Sequence, residues 1–162
     1  MGGAVRYKYT ILVAGALAAI VVIGLVVWKP NNGPSAEAEK ARLHGEWRVV
    51  AAGGDKTSRP ASREQVEGMR LTYTFGPATF RVDYDEVKAP SMVKGEYQFR
   101  VDPTRSPKWI DYKPAGSDEW RPGVYEWEGE TLKVRWATYG RPASVADDSE
   151  GVSVLAVMER VK

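Results

Sequence analysis

The chain has no cysteine among its 162 residues and only one histidine, His44. It therefore lacks disulfides, thiolate nucleophiles, thiolate metal ligands and the attachment site of a lipoprotein. A lone histidine has no second ligand or catalytic partner of its kind, so we interpret His44 as structural. The sequence also contains no Walker, G-x-S-x-G or G-x-G-x-x-G pattern. We therefore predict that the protein is not an enzyme and has no catalytic residues, no metal site and no cofactor.

Acidic residues are missing from the N-terminus, where residues 1–29 contain three basic side chains. Removing these three from the 23 basic residues of the chain leaves 20 against 21 acidic ones, a net charge of −1 for the remainder. The sequence pI of about 8.8 is therefore a property of the N-terminus. Since the rest of the chain is not basic, we predict no nucleic-acid partner.

Residues 9–28 carry no charge and are rich in Ile, Val, Leu and Ala. At 1.5 Å per residue such a helix spans roughly 30 Å, the thickness of the hydrocarbon layer. A cleaved signal peptide has a shorter apolar region, and the small-x-small site at residues 36–38 lies far downstream. With Arg6 and Lys8 favouring a cytoplasmic tail, we predict that residues 1–29 form this tail and an uncleaved, single-pass anchor in the inner membrane. The C-terminal domain then lies on the non-cytoplasmic side. A cleaved signal and a buried core helix remain alternatives.

A Pro- and Gly-containing segment follows the apolar run and breaks any helix. Ser35 is placed to cap a short helix over residues 36–43. We assign residues 30–42 to a linker and short helix, and residues 43–162 to one further domain.

From residue 45 onward, apolar and polar residues alternate with a period of two, which is typical of half-buried strands. Between the first two strands, Ser62 and Gln65 form a capping box, which predicts a short helix ending at Gly68. This helical connection either covers a barrel mouth or simply links two strands. The predicted strands cover residues 45–51, 69–75, 79–84, 94–101, 108–112, 123–128, 131–137 and 152–161.

Eight short antiparallel strands with hairpin-length connections favour an all-β, up-and-down barrel, with a sandwich as the alternative. The last strand is apolar on both faces over residues 154–158, so we expect its outer face to be covered. A two-residue turn at Gly129 and Glu130 predicts the hairpin between the sixth and seventh strands.

Aromatic residues occupy many of the predicted inward positions, where rings either form the core or provide a stacking surface for a ligand. The candidate ligand-binding residues are Tyr73, Phe99, Tyr125 and Trp127. Because the strands are short and the rings numerous, we expect one end of the barrel to be packed solid. Any pocket should be shallow, at the opposite mouth under the connection of residues 53–68.

Gly45-Glu46-Trp47 opens the first strand and Arg160 lies near the end of the last. This arrangement resembles the lipocalin and wider calycin pattern, in which an arginine from the last strand caps the tryptophan of a G-x-W motif. Further stretches are together similar to a conserved domain of unknown function of the planctomycete type, described as lipocalin-like: residues 102–104, 107–111, 123–134, 141–142 and 158–160. The resemblance implies a calycin-like barrel, export from the cytoplasm and a structural motif of Gly45, Trp47 and Arg160. It brings no known reaction.

These observations favour a membrane-anchored, exported, non-catalytic domain that binds a small apolar ligand or a cell-envelope component. The alternative is a structural or protein-interaction module whose barrel is filled by its own side chains and holds no ligand. An enzyme would require ionisable groups clustered in a cleft.

Overall fold

The computed structural model describes residues 33–54, 60–85, 94–147 and 153–162. Their eight strands form one closed antiparallel barrel, in which each strand pairs with the next and the last pairs with the first. The strands are β1 (Gly45–Gly53), β2 (Thr72–Phe75), β3 (Thr79–Asp83), β4 (Gly95–Asp102), β5 (Lys108–Pro114), β6 (Gly123–Glu128), β7 (Thr131–Ala137) and β8 (Ser153–Arg160). Two short helices are described, α1 (Ala36–Leu43) and α2 (Arg63–Met69). The predicted all-β barrel is confirmed, and the sandwich alternative is wrong.

The predicted membrane anchor over residues 9–28 lies outside the described residues. Within the described part of the chain, neither helix has the length and apolar character needed to cross a bilayer.

Helix α2 ends later, and β2 begins later, than the sequence predicted. Ser62 and Gln65 form the expected capping box, but the helix continues through Gly68 to Met69. Arg70 then adopts a left-handed conformation with φ of 48° and closes the helix by donating its N–H to the carbonyl of Glu67. Gly68 is thus a helical residue and not the terminator. The reason is tertiary, because Val66 is fully buried in the core and Met69 packs against it.

Helix α1 lies across the end of the barrel at which β1 begins and β8 ends, which we call the closed end. Ser35 caps the helix by accepting a hydrogen bond from the N–H of Ala38. Leu43 is fully buried, and its carbonyl accepts a hydrogen bond of 2.7 Å from Nε1 of Trp47. At the same end, Arg42 donates to the carbonyl of Gly129 in the β6–β7 turn. The helix that we assigned to the linker therefore packs on the barrel.

The barrel interior is filled by aromatic rings, which we call the ring cluster: Tyr73, Phe75, Phe80, Tyr97, Phe99, Tyr112 and Trp136. Centroids of neighbouring rings lie 4.9–6.4 Å apart, which is contact distance. Aliphatic side chains complete the core, among them Val49, Ile110, Leu132, Val134 and Met158.

The seam between β5 and β6 has the shortest ladder in the barrel, with two paired positions and one separate bridge between Tyr112 and Arg121. Ile110 and Asp111 are both buried although they are consecutive, because Ile110 faces the core while Asp111 is covered by the side chains of Arg100 and Arg141. Arg141 bridges the seam. Its guanidinium donates to the carbonyl of Gly123 and to Oδ1 of Asp111, both at 2.6 Å. Arg141 thus supplies hydrogen bonds where the strand ladder is interrupted.

The outer surface of the barrel is covered unevenly. Residues 138–147 fold back over β7, where Arg135 is 3% exposed and donates from Nε to the carbonyl of Val145. On the neighbouring β8, Leu155 and Val157 are half-buried. The described residues therefore cover the outer face of β8 only in part.

Candidate functional site

The closed end is sealed by the G-x-W tryptophan and the arginine of the last strand. The guanidinium carbon of Arg160 lies 4.4 Å from the ring centroid of Trp47, whose side chain is 1% exposed. Arg160 also donates to the carbonyls of His44 and Arg42, each at 2.5 Å. These carbonyls belong to the end of α1, where a cation satisfies acceptors that the helix itself leaves unpaired. The arrangement therefore joins β8 to α1 and is structural.

A buried carboxylate holds α1 onto the closed end. Glu39 is 4% exposed, its Oε1 accepts from Nζ of Lys108 at 2.5 Å, and its Oε2 accepts from Nε1 of Trp127 at 3.0 Å. Burial acts to raise the pKa of Glu39, but the hydrogen bonds from Lys108 and Trp127 and the charge of Lys108 lower this pKa below its ordinary value. Glu39 therefore stays ionised and ties the helix to β5 and β6.

Two of the four candidate ligand residues belong to this sealed end. Tyr125 is fully buried, and its hydroxyl has no hydrogen-bond partner among the described residues. Burial, followed by the charge of Glu39, raises the pKa of Tyr125. Trp127 is packed between Trp47, at a centroid distance of 5.6 Å, and the guanidinium of Arg42, at 3.9 Å.

The other two candidates, Tyr73 and Phe99, belong to the ring cluster. They are 7% and 4% exposed, and both contact Phe80. The structure therefore does not gather the four predicted residues into one site. Tyr125 and Trp127 close one end of the barrel, whereas Tyr73 faces the region where the ring cluster reaches the opposite end.

That opposite end, which we call the mouth, is bordered by partly exposed aromatic rings. Tyr97 and Tyr112 are half-buried and lie 5.9 Å apart, and Tyr112 contacts Trp136 at 4.9 Å. Trp136 is 7% exposed, and its Nε1 is buried without a hydrogen-bond partner among the described residues.

The hydroxyl of Tyr73 lies beside this indole. Burial raises the pKa of Tyr73, and the neighbouring Tyr97 and Tyr112 add to this effect. Trp136 opposes the rise, so its N–H is near the hydroxyl, but the two groups do not reach hydrogen-bond geometry. At neutral pH the Tyr73 hydroxyl therefore keeps its proton and can donate.

Arg121 places a positive charge at the mouth. It pairs with Tyr112 through reciprocal backbone hydrogen bonds of 3.0 and 2.7 Å, just before β6 begins. The period-two alternation puts Arg121 on the same inward face as Gly123 and Tyr125. Its charge reaches Tyr97: burial and Tyr112 raise the pKa of Tyr97, and Arg121 opposes them.

Helix α2 borders an open surface depression at the connection between β1 and β2. Its volume is about 410 Å³, and its lining is provided by Ala61, Glu64, Gln65, Gly68 and Met69. This depression lies on the segment under which we expected a shallow pocket. Val66, on the same helix, is fully buried.

Reasoning from sequence missed Arg121 and Tyr112 as members of one site. The alternating pattern ends the fifth strand at residue 112 and begins the sixth at residue 123, so Arg121 falls in a loop. Arg121, Gly123 and Tyr125 are spaced two residues apart, and residues with this spacing share one face of a strand. Alternation could therefore have placed Arg121 on the inward face of a longer sixth strand. The described residues hold no cluster of three or more His, Cys, Asp or Glu side chains arranged to bind a metal ion.

Comparison of the chain with protein-family models, with curated proteins and with solved structures gave no match.

Proposed function

We propose that the protein is an exported, non-catalytic binding domain on a lipocalin-like barrel, held at the inner membrane by residues 9–28. It binds a small, largely apolar ligand or a cell-envelope component at the mouth. The observation that carries this proposal is the difference between the two ends of the barrel. The closed end is covered by α1, Trp47 and Arg160, whereas the rings of Tyr97 and Tyr112 remain half-buried at the mouth.

The ring cluster sets the size of the site. Phe75 and Phe80 are 1% and 3% exposed and contact each other at 5.3 Å, so the middle of the barrel is occupied by side chains. A ligand at the mouth therefore lies on Tyr97 and Tyr112, outside this filled region. Such contact leaves part of the ligand exposed, whereas deeply held ligands usually bury most of their surface.

Native mass spectrometry of the full chain, extracted from its own membranes, tests this function. We expect a small molecule to accompany the protein and to be lost in Tyr112→Ala, which truncates the rim of the mouth. Trp127→Phe, a ring change at the closed end, is the matched control and should leave the bound species in place. Absence of any small-molecule adduct from the wild-type protein argues against a ligand-binding domain.

A structural or protein-interaction module is the second candidate, favoured by apolar side chains exposed near the mouth. Tyr139 is 76% exposed just after β7, and Val154, which pairs with Trp136, is 47% exposed. Cross-linking of the full chain in its own membranes distinguishes the two functions. A protein partner cross-linked near Tyr139, without a small-molecule adduct, would favour the interaction module.

The membrane anchor has its own test. Full-length protein should appear in the membrane fraction and resist extraction by carbonate, because 20 uncharged residues match the hydrocarbon thickness. Recovery of a mature chain that begins at Glu39 would contradict the anchor. Such a chain would also lack Ser35, the residue that caps α1.

A further inference from the structure

The closed end carries an open depression on its outer surface, with a volume of about 570 Å³. This volume is typical of small-molecule sites. The charged part of its lining comes from the end of α1, the β6–β7 turn and the end of β8 with the residues after it: Arg42, Glu130, Glu159, Arg160 and Lys162. All five side chains are exposed, so a ligand can reach them. Three are basic and two are acidic, which gives the lining a net charge of +1.

Two of the cations are held in place by groups that do not neutralise them. The guanidinium carbon of Arg42 lies 3.9 Å from the ring centroid of Trp127, and Nη2 of Arg42 donates to the carbonyl of Gly129 at 3.1 Å. Arg160 stacks on Trp47 in the same way and donates to two carbonyls. Rings and carbonyls orient a guanidinium but carry no net negative charge. Among the described residues, Nε and Nη1 of Arg42 have no acceptor, so they are free to bind a ligand.

Charges of both signs stay unpaired around this depression. None of its five charged side chains forms a salt bridge with a residue that the structure describes. Opposite charges nearby do pair, such as Lys40 with Glu37 and Lys133 with Glu128. Stacking on the indoles keeps the two guanidinium groups away from the carboxylates. A ligand that carries both signs can therefore contact both kinds of group at once.

The mixture of signs restricts the chemistry of the ligand. A simple anion is attracted by the three cations but repelled by Glu130 and Glu159, and a simple cation meets the reverse. A zwitterion satisfies both. Because Arg42 and Lys162 belong to different parts of the chain, their donors suit a tetrahedral phosphate, which offers oxygens in more directions than a planar carboxylate. A primary ammonium group supplies three donors for the carboxylates.

We propose that this depression binds a phosphoethanolamine group, whose phosphate accepts hydrogen bonds from Arg42 and Lys162 and whose ammonium group is bound by Glu130. A phosphate monoester carries about −1.5 to −2 at neutral pH. With the ammonium group, the ligand therefore has a net charge opposite to that of the lining. The fixed guanidinium groups reduce the ordering that binding requires. This site is separate from the mouth and does not depend on the proposed function.

Isothermal titration of the full chain in mild non-ionic detergent tests the site with three probes: O-phosphoethanolamine, inorganic phosphate and ethanolamine. We expect O-phosphoethanolamine to bind at least about tenfold more tightly than either fragment, since each fragment satisfies charges of one sign only. Equal binding of phosphate and O-phosphoethanolamine would overturn the ammonium contact. If O-phosphoethanolamine does not bind, the inference is wrong.

Two variants assign the two ends of the ligand. Arg42→Gln should weaken both phosphate and O-phosphoethanolamine by about tenfold, because it removes a cation from the phosphate. Glu130→Gln should weaken O-phosphoethanolamine by about tenfold and leave phosphate binding unchanged or slightly stronger. Glu130 lies exposed in a turn, so this variant should fold normally, and near-UV circular dichroism checks both proteins. Loss of both probes in Glu130→Gln would contradict the assignment.

The matched controls remove the same charges from the same helix and the same hairpin. Lys40→Gln and Glu128→Gln alter side chains that pair elsewhere and do not line the depression. Neither should change the affinity for O-phosphoethanolamine by more than about twofold. If they weaken binding as much as Arg42→Gln and Glu130→Gln do, the probe responds to general surface charge and the inference is overturned.

The same group occurs free in solution and as a lipid head group, and nanodiscs distinguish these sources. In nanodiscs of phosphatidylcholine alone, soluble O-phosphoethanolamine should bind as it does in detergent. If nanodiscs that also contain phosphatidylethanolamine abolish this binding, the lipid head group occupies the site. Binding retained in both kinds of nanodisc identifies the soluble compound as the ligand.

Discussion

A Cβ atom on residue 45 would lie 2.7 Å from Nη1 of Arg160, so a side chain at this position would displace the end of the arginine that covers Trp47. The backbone is what requires glycine, because Gly45 has φ of +122°, a conformation that L side chains rarely adopt. Glycine at the start of β1 and arginine near the end of β8 are therefore two parts of one seal. The strands that carry them are direct neighbours, with Trp47 and Arg160 as a residue pair.

Gly45→Ala should lower the free energy of unfolding by about 1–3 kcal/mol, because it combines a strained φ with displacement of the Arg160 side chain. Urea unfolding of the full chain in mild detergent, followed by tryptophan fluorescence, measures the loss. The double variant Gly45→Ala/Arg160→Ala should lose less than the sum of the two single changes, since one alteration removes the atoms with which the other clashes. If the two losses of stability simply add in the double variant, the close approach of residue 45 to Arg160 has no energetic consequence.

Trp47→Ala should destabilise the domain by about 3–5 kcal/mol, as expected for truncation of a large core side chain. Arg160→Ala should cost less, about 1–2 kcal/mol, because it removes partly exposed stacking and two hydrogen bonds to carbonyls. The same urea titration compares the two variants. If both variants lose the same free energy of unfolding, Arg160 must stabilise the domain through more than its contacts with Trp47 and the carbonyls of α1.

Glu39→Gln should weaken the attachment of α1 at neutral pH and reduce the loss of stability in acid. The pKa of Glu39 is lower in the folded protein than its ordinary value of 4.5. Its stabilising contribution is therefore fully present above pH 4.5 and is lost as the pH falls through the lower, folded pKa. Unfolding titrations at neutral pH and at about pH 3 measure the difference.

The control for Glu39 is Glu37→Gln on the same helix, where the carboxylate pairs with Lys40 and its side chain is 83% exposed. This change should alter stability little at either pH. If the two variants show the same acid dependence, the buried contact with Lys108 is not what holds α1.

Arg141→Lys should loosen the β5–β6 seam, because an ammonium group cannot reproduce the two hydrogen bonds of a guanidinium to Asp111 and the carbonyl of Gly123. Hydrogen exchange of the full chain should quicken in residues 108–114 and stay unchanged across the β7–β8 ladder. Arg100→Lys is the matched control, since Arg100 also binds Asp111 but its side chain is 60% exposed. Similar exchange in both variants would argue against Arg141 as the bridge.

Gly68→Ala should raise the free energy of unfolding by about 0.5–1 kcal/mol, because alanine is favoured over glycine inside a helix. Among the described residues, no atom outside the helix backbone lies within 4 Å of the place that the new Cβ would take, so the substitution meets no obstruction there. Thermal unfolding monitored by circular dichroism shows whether the substitution stabilises or destabilises the domain. A lower melting temperature would support Gly68 as the end of the helix, as the sequence pattern alone predicts.

The mouth shows where prediction from sequence failed. Trp136 and Tyr97 lie at alternating positions of separate predicted strands. Their contacts with Tyr112 were not predicted, since nothing local specifies which side chains meet inside a barrel. The seam at Asp111 was missed for a related reason. Its partner Arg141 is 30 residues away, on a segment without regular structure.

The sequence by itself determined the strands, the capping box at Ser62 and the pairing of Trp47 with Arg160, because alternation and turn residues act over a few positions and closure makes the first and last strands neighbours. Tertiary structure alone decided that Glu39 is buried against Lys108 and Trp127, which follow it by 69 and 88 residues. It also decided how far α2 continues and which aromatic rings meet at the mouth. The physical reason is that the stagger of a closed barrel and the space left by neighbouring side chains set these contacts, and both depend on all eight strands at once.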